Sequence, residues 1–526
     1  MKFIMNQSDY LLMTTHNPFK KSPIFMAVTE VCSVIPESFI ILSALFILLF
    51  AILTSCRSQL NFPLTHTPAI NLSVLVLMGT VILLLKLESV TPEIAVFNYS
   101  VVLDTLSICT KKCLILACFF CLVITKDDLK KQQINSFEYT VLVLLSTFGA
   151  VLICASNDLI TAYLAIEVQS LAFYILASFK KTSTFSIDAG LKYFILGALG
   201  SGTFLFGSSL VYGVTGTTNF EHFHELYSHE YTLIKTSHQI SNSSFLQFGL
   251  ILVLCSLLFK VSVAPFHIWS PDVYEGSVSC STFLFTILPK LGLFVLIIRV
   301  FFYSFSSFTD KFRYLLIVSA LLSIFVGSFG GLEQKKVKTL LAFSSIGHMG
   351  YSLLAFSSGV IEGIQVMYGY LLVYMLAGIS IWSIFFITSL KQPFNKHNKD
   401  LSDFSSLVKS NPTLSSCLAI TCLSLAGFPP FVGFYVKMAV FSVAIEAGLY
   451  NPTVFAILCG VISTYYYIRI IKVSYFEQTI SGNLYYPAER NPSLITAFSA
   501  SVIVGSFVSP SALYLYCYNI SIFGLN

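Results

Sequence analysis

Residues 244–267 read SFLQFGLILVLCSLLFKVSVAPFH. No residue from Phe245 to Phe259 is charged. Lys260 then interrupts the run, and Pro265 follows five positions later. The stretch exceeds the roughly 20 residues that a helix needs to cross hydrocarbon. Proline lacks a backbone donor and crowds the preceding turn, so it frees carbonyls at membrane depth. The segment therefore reads as a spanning helix, the seventh of the chain, broken just after a lysine.

Working outward, comparable apolar runs lie at about 34–54, 70–88, 97–125, 137–155, 157–179, 188–213, 277–301, 313–330, 337–358, 361–390, 412–446, 452–472 and 493–518. With 244–267 they make about fourteen. Only 10% of the 526 residues are charged, against about a quarter in a soluble domain. Mean hydropathy is +0.81. The alternating ten-residue strands of a membrane barrel are absent from the sequence. The fold class expected is an all-α integral membrane protein, with two inverted-topology repeats and broken seventh and twelfth helices. The twelfth break is written by Gly427, Pro429, Pro430 and Gly433, shortly before Lys437. Lysine precedes one break and follows the other, which inversion of a repeat would produce.

Loop charges assign sides. Loops after odd-numbered runs carry Arg57; Lys126, Lys130 and Lys131; Lys180 and Lys181; Lys335, Lys336 and Lys338; Lys391, Lys396, Lys399 and Lys409; and Lys472 and Arg490. Even-numbered loops hold little beyond Lys235, Lys311 and Arg313, and the loop after the seventh run has no basic residue. Odd loops are expected on the cytoplasm-equivalent side and both termini opposite. Residues 1–33, with Lys2, Lys20 and Lys21, read as an uncleaved extension. The remaining expected units are 34–130, 131–305, 306–475 and 476–526.

Ionisable residues at membrane depth are expensive and mark function. The candidates are Glu167 in the fifth run, Lys192 in the sixth, Lys260 in the seventh, Lys290 after Pro289 in the eighth, His348 in the tenth and Lys437 in the twelfth. The plainer alternatives are that Lys192 snorkels to the interface and that His348 is a satisfied structural histidine. Lysine suits proton transfer because its pKa, about 10.4 in water, falls on burial and rises beside a carboxylate. A Glu167–Lys260 pair is thus expected to toggle as it tightens and loosens. Lys111 and Lys112, midway along the third run, have no role in this reading.

Thirteen cysteines are scattered through apolar runs. Cys118 and Cys121 have C-x-x-C spacing, yet lie inside one hydrophobic helix, where small apolar packing explains them. Between 214 and 243 a polar loop holds His222, His224, His229 and His238. Its Glu221-His222-Phe223-His224-Glu225 stretch weakly resembles a metal site, and a solvated loop is the expectation. No metal is expected.

Three stretches carry a family resemblance. They are Ala189-Gly190-Leu191-Lys192-Tyr193-Phe194; Ala264-Pro265-Phe266-His267-Ile268-Trp269-Ser270-Pro271-Asp272-Val273-Tyr274-Glu275-Gly276; and Gln334-Lys335-Lys336-Val337-Lys338 leading to Ser344-Ser345-Ile346-Gly347-His348. Together with Gly427-Phe428-Pro429-Pro430 they resemble the antiporter-like membrane subunits of NADH:quinone oxidoreductase, respiratory complex I, over roughly residues 30–475. Within that family the chain looks like the subunit 2 (bacterial subunit N) type. Lys437 stands where the subunit 4 type has glutamate, and Tyr368-Gly369-Tyr370 replaces the histidine of the subunit 4 and 5 types. His348 and other details look more like plant-type mitochondrial chains than the chloroplast relative.

The resemblance implies a first half-channel with Glu167 and Lys260 as its charge pair, a relay through Lys290 and His348, and a second half-channel served by Lys437, with Lys192 accessory. It implies no cofactor bound by this chain, with NADH, FMN, iron–sulfur clusters and ubiquinone in other subunits. It further implies neighbouring membrane-arm subunits and lipids such as cardiolipin as partners, no nucleic acid, and a mitochondrial inner membrane location with basic loops facing the matrix. A cation/proton antiporter subunit and a purely structural membrane spacer are the competing readings.

Overall fold

The computed structural model describes residues 30–31, 33–55, 66–90, 94–132, 136–229, 237–388, 400–405, 407–477 and 488–523. The extension expected over 1–33 lies almost wholly outside these, as do Arg57, Lys235, Lys391, Lys396 and Lys399.

Helices dominate the chain. In order they are α1 (Ile35–Ser55), α2 (His66–Val90), α3 (Thr105–Lys131), α4 (Glu138–Ala155), α5 (Leu159–Ala177), α6 (Thr184–Thr215), α7 (Phe220–His229), α8 (Ser237–Val261), α9 (Trp269–Gly276), α10 (Ser279–Ile297), α11 (Thr309–Gly330), α12 (Val337–Phe356), α13 (Ile361–Ile387), α14 (Leu407–Ser410), α15 (Pro412–Ala426), α16 (Val432–Glu446), α17 (Tyr450–Tyr475), α18 (Arg490–Val508) and α19 (Pro510–Phe523). Thirteen of the described helices are long and apolar enough to cross a membrane. The expected twelfth span is instead two short helices, α15 and α16, meeting at the Gly427–Phe431 break. With that pair the fourteen runs are accounted for. Pro289 sits inside α10 without ending it, and the helix continues as a π-helical turn over Ile298–Ser304.

Three expectations are corrected. The run at 97–125 begins with a β-hairpin, β1 (Ile94–Val96) against β2 (Val101–Leu103), whose turn residues Phe97, Asn98 and Tyr99 have φ of 53°, 54° and 63°. The loop at 214–243 contains α7 and the start of α8, because Phe220 and Phe223 anchor one face of α7 with no exposed surface. The run at 493–518 is two helices, since Ser509 and Pro510 end α18 and start α19.

Local chemistry sets the ends. Asp104 forms a capping box with Ser107, accepting its N–H at 3.0 Å while the serine hydroxyl receives the Asp104 N–H at 3.0 Å. Asp158 caps α5 by accepting from Ile160 N–H at 3.0 Å, and Asn411 caps α15 from Leu414 N–H at 3.2 Å, with Pro412 at the first helical position. Within helices, serine and threonine hydroxyls return to carbonyls one turn back, as Thr286 does to Phe283 at 2.7 Å. Hydroxyls so paired can sit beside lipid without an unmet hydrogen bond.

α10 and α12 form the centre. Of the most apolar window in Ser279–Ser304, 94% is buried, and in Val337–Phe356 89%, against 28% in Ile35–Thr54. The outer helices α1, α6 and α17 turn leucine, isoleucine and phenylalanine outward, as Leu42, Leu199 and Leu458 show. Such apolar surface suits lipid or neighbouring helices.

The two ends of the bundle are distinguished by loop contacts. On one, Lys131 pairs with Glu489 at 2.8 Å, and Leu401 N–H reaches Lys335 carbonyl at 2.9 Å. On the other, Asn157 N–H reaches Ser100 carbonyl at 3.0 Å, and Arg313 bonds the carbonyls of Ser357 at 3.1 Å and Ala447 at 2.8 Å. In these contacts odd-numbered loops meet odd-numbered loops and even-numbered meet even-numbered; the first set is termed the basic side and the second the far side.

Lys111 and Lys112 acquire partners from the first two helices. Lys111, fully buried, pairs with Glu37 of α1 at 2.5 Å, and Lys112 pairs with Glu88 of α2.

Candidate functional site

α5 presents Glu167 and, two turns later on the same face, Tyr174. Seven residues of helix separate them by about 10.5 Å along the axis. Lys260, one residue before the end of α8, donates to the Tyr174 hydroxyl at 3.2 Å and lies 5.7 Å from its ring centre. Glu167 is half-buried, its Oε1 is enclosed without a hydrogen-bond partner, and it stays within electrostatic reach of Lys260. No direct ion pair joins the two among the described residues. The expected carboxylate–amine pair is therefore not in direct contact in this conformation, and the amine is held by the Tyr174 phenol instead.

The break after Lys260 is built by identifiable contacts. Ser262 adopts φ of 66°. The Phe259 carbonyl accepts from Ser262 N–H and Trp269 Nε1, each at 3.0 Å, and the Leu258 carbonyl accepts from Val263 N–H at 3.0 Å. Trp269 stacks on Tyr193 at 4.7 Å, and Tyr193 meets Tyr174 edge-on at 4.8 Å. This aromatic wall fixes the phenol that receives the lysine.

Lys290 is only 3% exposed at the centre of the bundle. It donates to the Tyr374 hydroxyl of α13 at 3.1 Å, with the ring centre 4.8 Å away. His348, on α12, lies 5.3 Å ring to ring from the same tyrosine. Its Nδ1 is 2.6 Å from the Tyr370 hydroxyl and its Nε2 is 2.9 Å from that of Tyr467. Both ring nitrogens are therefore engaged by groups that both donate and accept, so either tautomer is served.

Lys437 opens the second break. Its amine donates to the Leu425 and Ala426 carbonyls, both at 2.9 Å, and lies 5.3 Å from the Tyr351 ring centre. Those carbonyls end α15, where no further turn supplies a donor. Gly427 caps that helix at φ of 84°, a conformation that favours glycine. At Gly433 a Cβ would fall 1.9 Å from the Ser424 carbonyl oxygen, so only glycine lets α16 start this close to α15. A cavity of about 20 Å³ touches His348, Tyr374, Gly433 and Lys437 together. That is room for a water molecule between histidine and lysine.

The structure thus brings Lys290 and His348 together through Tyr374, and His348 and Lys437 through a shared cavity. Lys260 lies on Tyr174, and Glu167 stands two turns away along the same face of α5. Lys192 is left apart: it pairs with Asp272 of α9 at 2.6 Å on the outer surface, with side chains 56% and 54% exposed. Tyr370 entered the sequence reading only as the place of an absent histidine, and Tyr174, Tyr374 and Tyr467 were not singled out. Tyr370 and Tyr374 lie one helical turn apart on α13, a spacing that was available as a signal. Cys118 and Cys121 are buried within α3, and no cluster of three or more His, Cys, Asp or Glu able to hold a metal occurs among the described residues. His224 is instead held at 3.0 Å from the Tyr303 carbonyl.

Residues 156–463 match the transmembrane family described as NADH:quinone oxidoreductase/Mrp antiporter. NADH-ubiquinone oxidoreductase chain 2 of Marchantia polymorpha is 37% identical over 492 residues, covering 93% of this chain and 97% of the relative. NADH-quinone oxidoreductase subunit N of Paramagnetospirillum magneticum is 34% identical, covering 92% and 96%. Among solved structures, a chain of respiratory complex I from Thermus thermophilus with bound aureothin superposes with a TM-score of 0.74 at 24% identity, covering 91% of this chain and 98% of that one. A chain of the Mrp complex from Dietzia gives 0.77 at 19%, covering 93% and 97%. The structural likenesses speak to fold alone. With the family match spanning more than half the chain and these relatives aligned over nearly their full length, the chain belongs to the NADH:quinone oxidoreductase/Mrp antiporter family of membrane subunits.

Proposed function

We propose that this chain is a proton-translocating membrane-arm subunit of respiratory complex I, coupling NADH:ubiquinone oxidoreduction elsewhere in the complex to proton movement through its buried row. The observation that carries the reading is the set of three amines, Lys260, Lys290 and Lys437, held by phenols and carbonyls rather than by carboxylates. An enclosed amine without a fixed counter-ion is sensitive to every change of charge nearby, which suits it to pass a proton when a neighbour gains or loses one. Glu167 and Lys260 open the row, Lys290 and His348 relay, and Lys437 closes it beside the second break. The second helix break presents the Leu425 and Ala426 carbonyls to Lys437, as breaks along an ion path do.

NADH, FMN, iron–sulfur clusters and the quinone belong to other subunits in this reading. Neighbouring membrane-arm subunits and lipids such as cardiolipin cover the outward apolar faces. The plant chain 2 relatives, from Marchantia, Oenothera and Arabidopsis, support a mitochondrial inner membrane, and the loop charges support the basic side towards the matrix. Glu167→Ala and Lys260→Ala are each expected to lower coupled NADH:quinone activity several-fold. NADH oxidation by an artificial acceptor should stay intact in both. Unchanged coupled pumping in both variants would remove the row from the mechanism.

The matched family's description, which takes in the Mrp antiporter, keeps a second reading, a cation/proton antiporter subunit without redox partners. Co-purification of a peripheral NADH-oxidising arm with the native chain decides between the two.

A further inference from the structure

On the far side, Arg299 lies in the π-helical turn that continues α10, nine residues beyond Lys290 on the same rod. It is 7% exposed. One terminal nitrogen, Nη2, donates to both carboxylate oxygens of Asp104, at 2.6 and 2.8 Å, while Nε is buried with no hydrogen-bond partner. The guanidinium thus spends one nitrogen where its fork could engage a carboxylate with two. π turns interrupt the regular ladder and commonly sit where a helix must adjust.

A second carboxylate stands within electrostatic reach of Arg299, without an ion pair to it. This is Glu221, half-buried on α7. Its Oε1 accepts from Asn157 Nδ2 at 3.2 Å, and Asn157, only 2% exposed, is held in turn by the Tyr99 carbonyl of the hairpin at 3.1 Å. Its own N–H goes to the Asn219 side chain at 2.9 Å. The α7 segment is therefore a built part of the far face.

Resting on the proposed proton-pumping function, we infer that Glu221 is a proton-release carboxyl of the far face, its proton traded as Arg299 shifts between Asp104 and Glu221. When Arg299 holds Asp104, Glu221 keeps its proton. When the π turn moves the guanidinium towards Glu221, the carboxyl O–H breaks, the proton passes to water as hydronium, and the carboxylate left behind pairs with Arg299. A proton arriving from the row restores the acid as the arginine returns. Charge balances at each stage, and only water is consumed and returned.

Charged and titratable groups facing Glu221 are Arg299, His222, Glu225 and Tyr303, with Asp104 across the guanidinium. Burial pushes the Glu221 carboxyl up from its ordinary value, opposed by the Asn157 hydrogen bond and the charges of His222 and Arg299. The sign follows. Lowering the pH at the far face keeps such a group protonated, so release slows as that pH falls towards the raised pKa.

The test uses the assembled complex in sealed membrane vesicles, with Glu221→Gln, Glu221→Asp and Lys437→Met measured beside the native chain. Gln keeps an oxygen for Asn157 and has no proton to release. Glu221→Gln is expected to pump several-fold more slowly and to lose the dependence on far-face pH. Glu221→Asp should regain that dependence, while artificial-acceptor oxidation and assembly stay unchanged throughout. A Glu221→Gln complex with native rate and native pH dependence, beside a Lys437→Met complex that does not pump, overturns the Glu221 assignment alone. Normal pumping by Lys437→Met overturns the proton-row function and this inference with it.

Discussion

Lys437→Met is expected to lower coupled proton pumping by about a hundredfold or more, the scale on which a positioned proton-transfer group contributes. Methionine matches the lysine stem in length and flexibility, so the helices around the second break can still close. What disappears is the only titratable group among the contacts that end α15, the amine on the Leu425 and Ala426 carbonyls. Those carbonyls then lack the donor, which costs about 1–3 kcal/mol for a buried group left unpaired. A loss through scaffolding must therefore be separated from a loss through chemistry. Lys437→Arg does so. Arginine still donates to the two carbonyls and does not give up its proton in a protein. If the lysine serves only as a clamp, the arginine variant pumps. If the proton itself passes through Lys437, both variants fail in coupled NADH:quinone turnover while artificial-acceptor oxidation continues. Native pumping by Lys437→Arg would take Lys437 out of the row.

The row was legible in the sequence where it broke the rules of a lipid-embedded chain. Charges are so rare in apolar runs that Lys260, Lys290, His348 and Lys437 announced themselves. Pro265 and the Gly427–Gly433 segment marked the breaks because both residue types disrupt helices by known backbone chemistry. The roles of the tyrosines were not legible, even where the helical spacing of Tyr370 and Tyr374 was visible, because a phenol inside an apolar helix looks like packing until a partner is known. Tyr174 meets Lys260 across 86 residues, and Tyr467 meets His348 across 119. No local pattern encodes such meetings. The Glu167–Lys260 contact failed in its direct form for a related reason: helix periodicity places Glu167 and Tyr174 on one face, while the level at which Lys260 meets that face depends on the packing of α8 against its neighbours.

Surface placement was equally hidden. Lys192 occupies an apolar helix just as Lys290 does, and periodicity around the helix axis does not say which side faces outward when all sides are apolar. The hairpin at 94–103 continues directly into the apolar sequence of α3, so a hydropathy reading merged the two. In α7, by contrast, Phe220, Phe223 and Tyr227 recur at helical spacing, a signal that was present but short beside the surrounding polar residues.

Lys111→Met is expected to destabilise the folded chain by about 3–5 kcal/mol, the usual consequence of stranding one member of a buried ion pair. Glu37 is 2% exposed, and its Oε2 already lacks a hydrogen-bond partner, so the Lys111 amine is what offsets its charge. Water has no ready access to replace it. Adding Glu37→Leu should recover most of the loss, since an apolar pair of similar volume avoids the desolvation penalty altogether. Lys112→Met provides the comparison on the next residue of the same helix. Its partner Glu88 is 50% exposed, and exposed pairs contribute about 0–1 kcal/mol, so the midpoint should move little. The measurement is the thermal midpoint of the purified complex for the three variants and the native chain. The ordering expected is Lys111→Met lowest, with the double variant and Lys112→Met near native. A double variant as unstable as Lys111→Met would show that the pair does more than cancel a buried charge, since leucine and methionine leave neither an ion nor a large void. Equal losses at Lys111 and Lys112 would instead mean that burial does not set the strength of these pairs. The same logic explains why two adjacent lysines in one apolar run resist a common role: one helix turns its neighbours about 100° apart, so one amine points into the bundle and the other towards its edge.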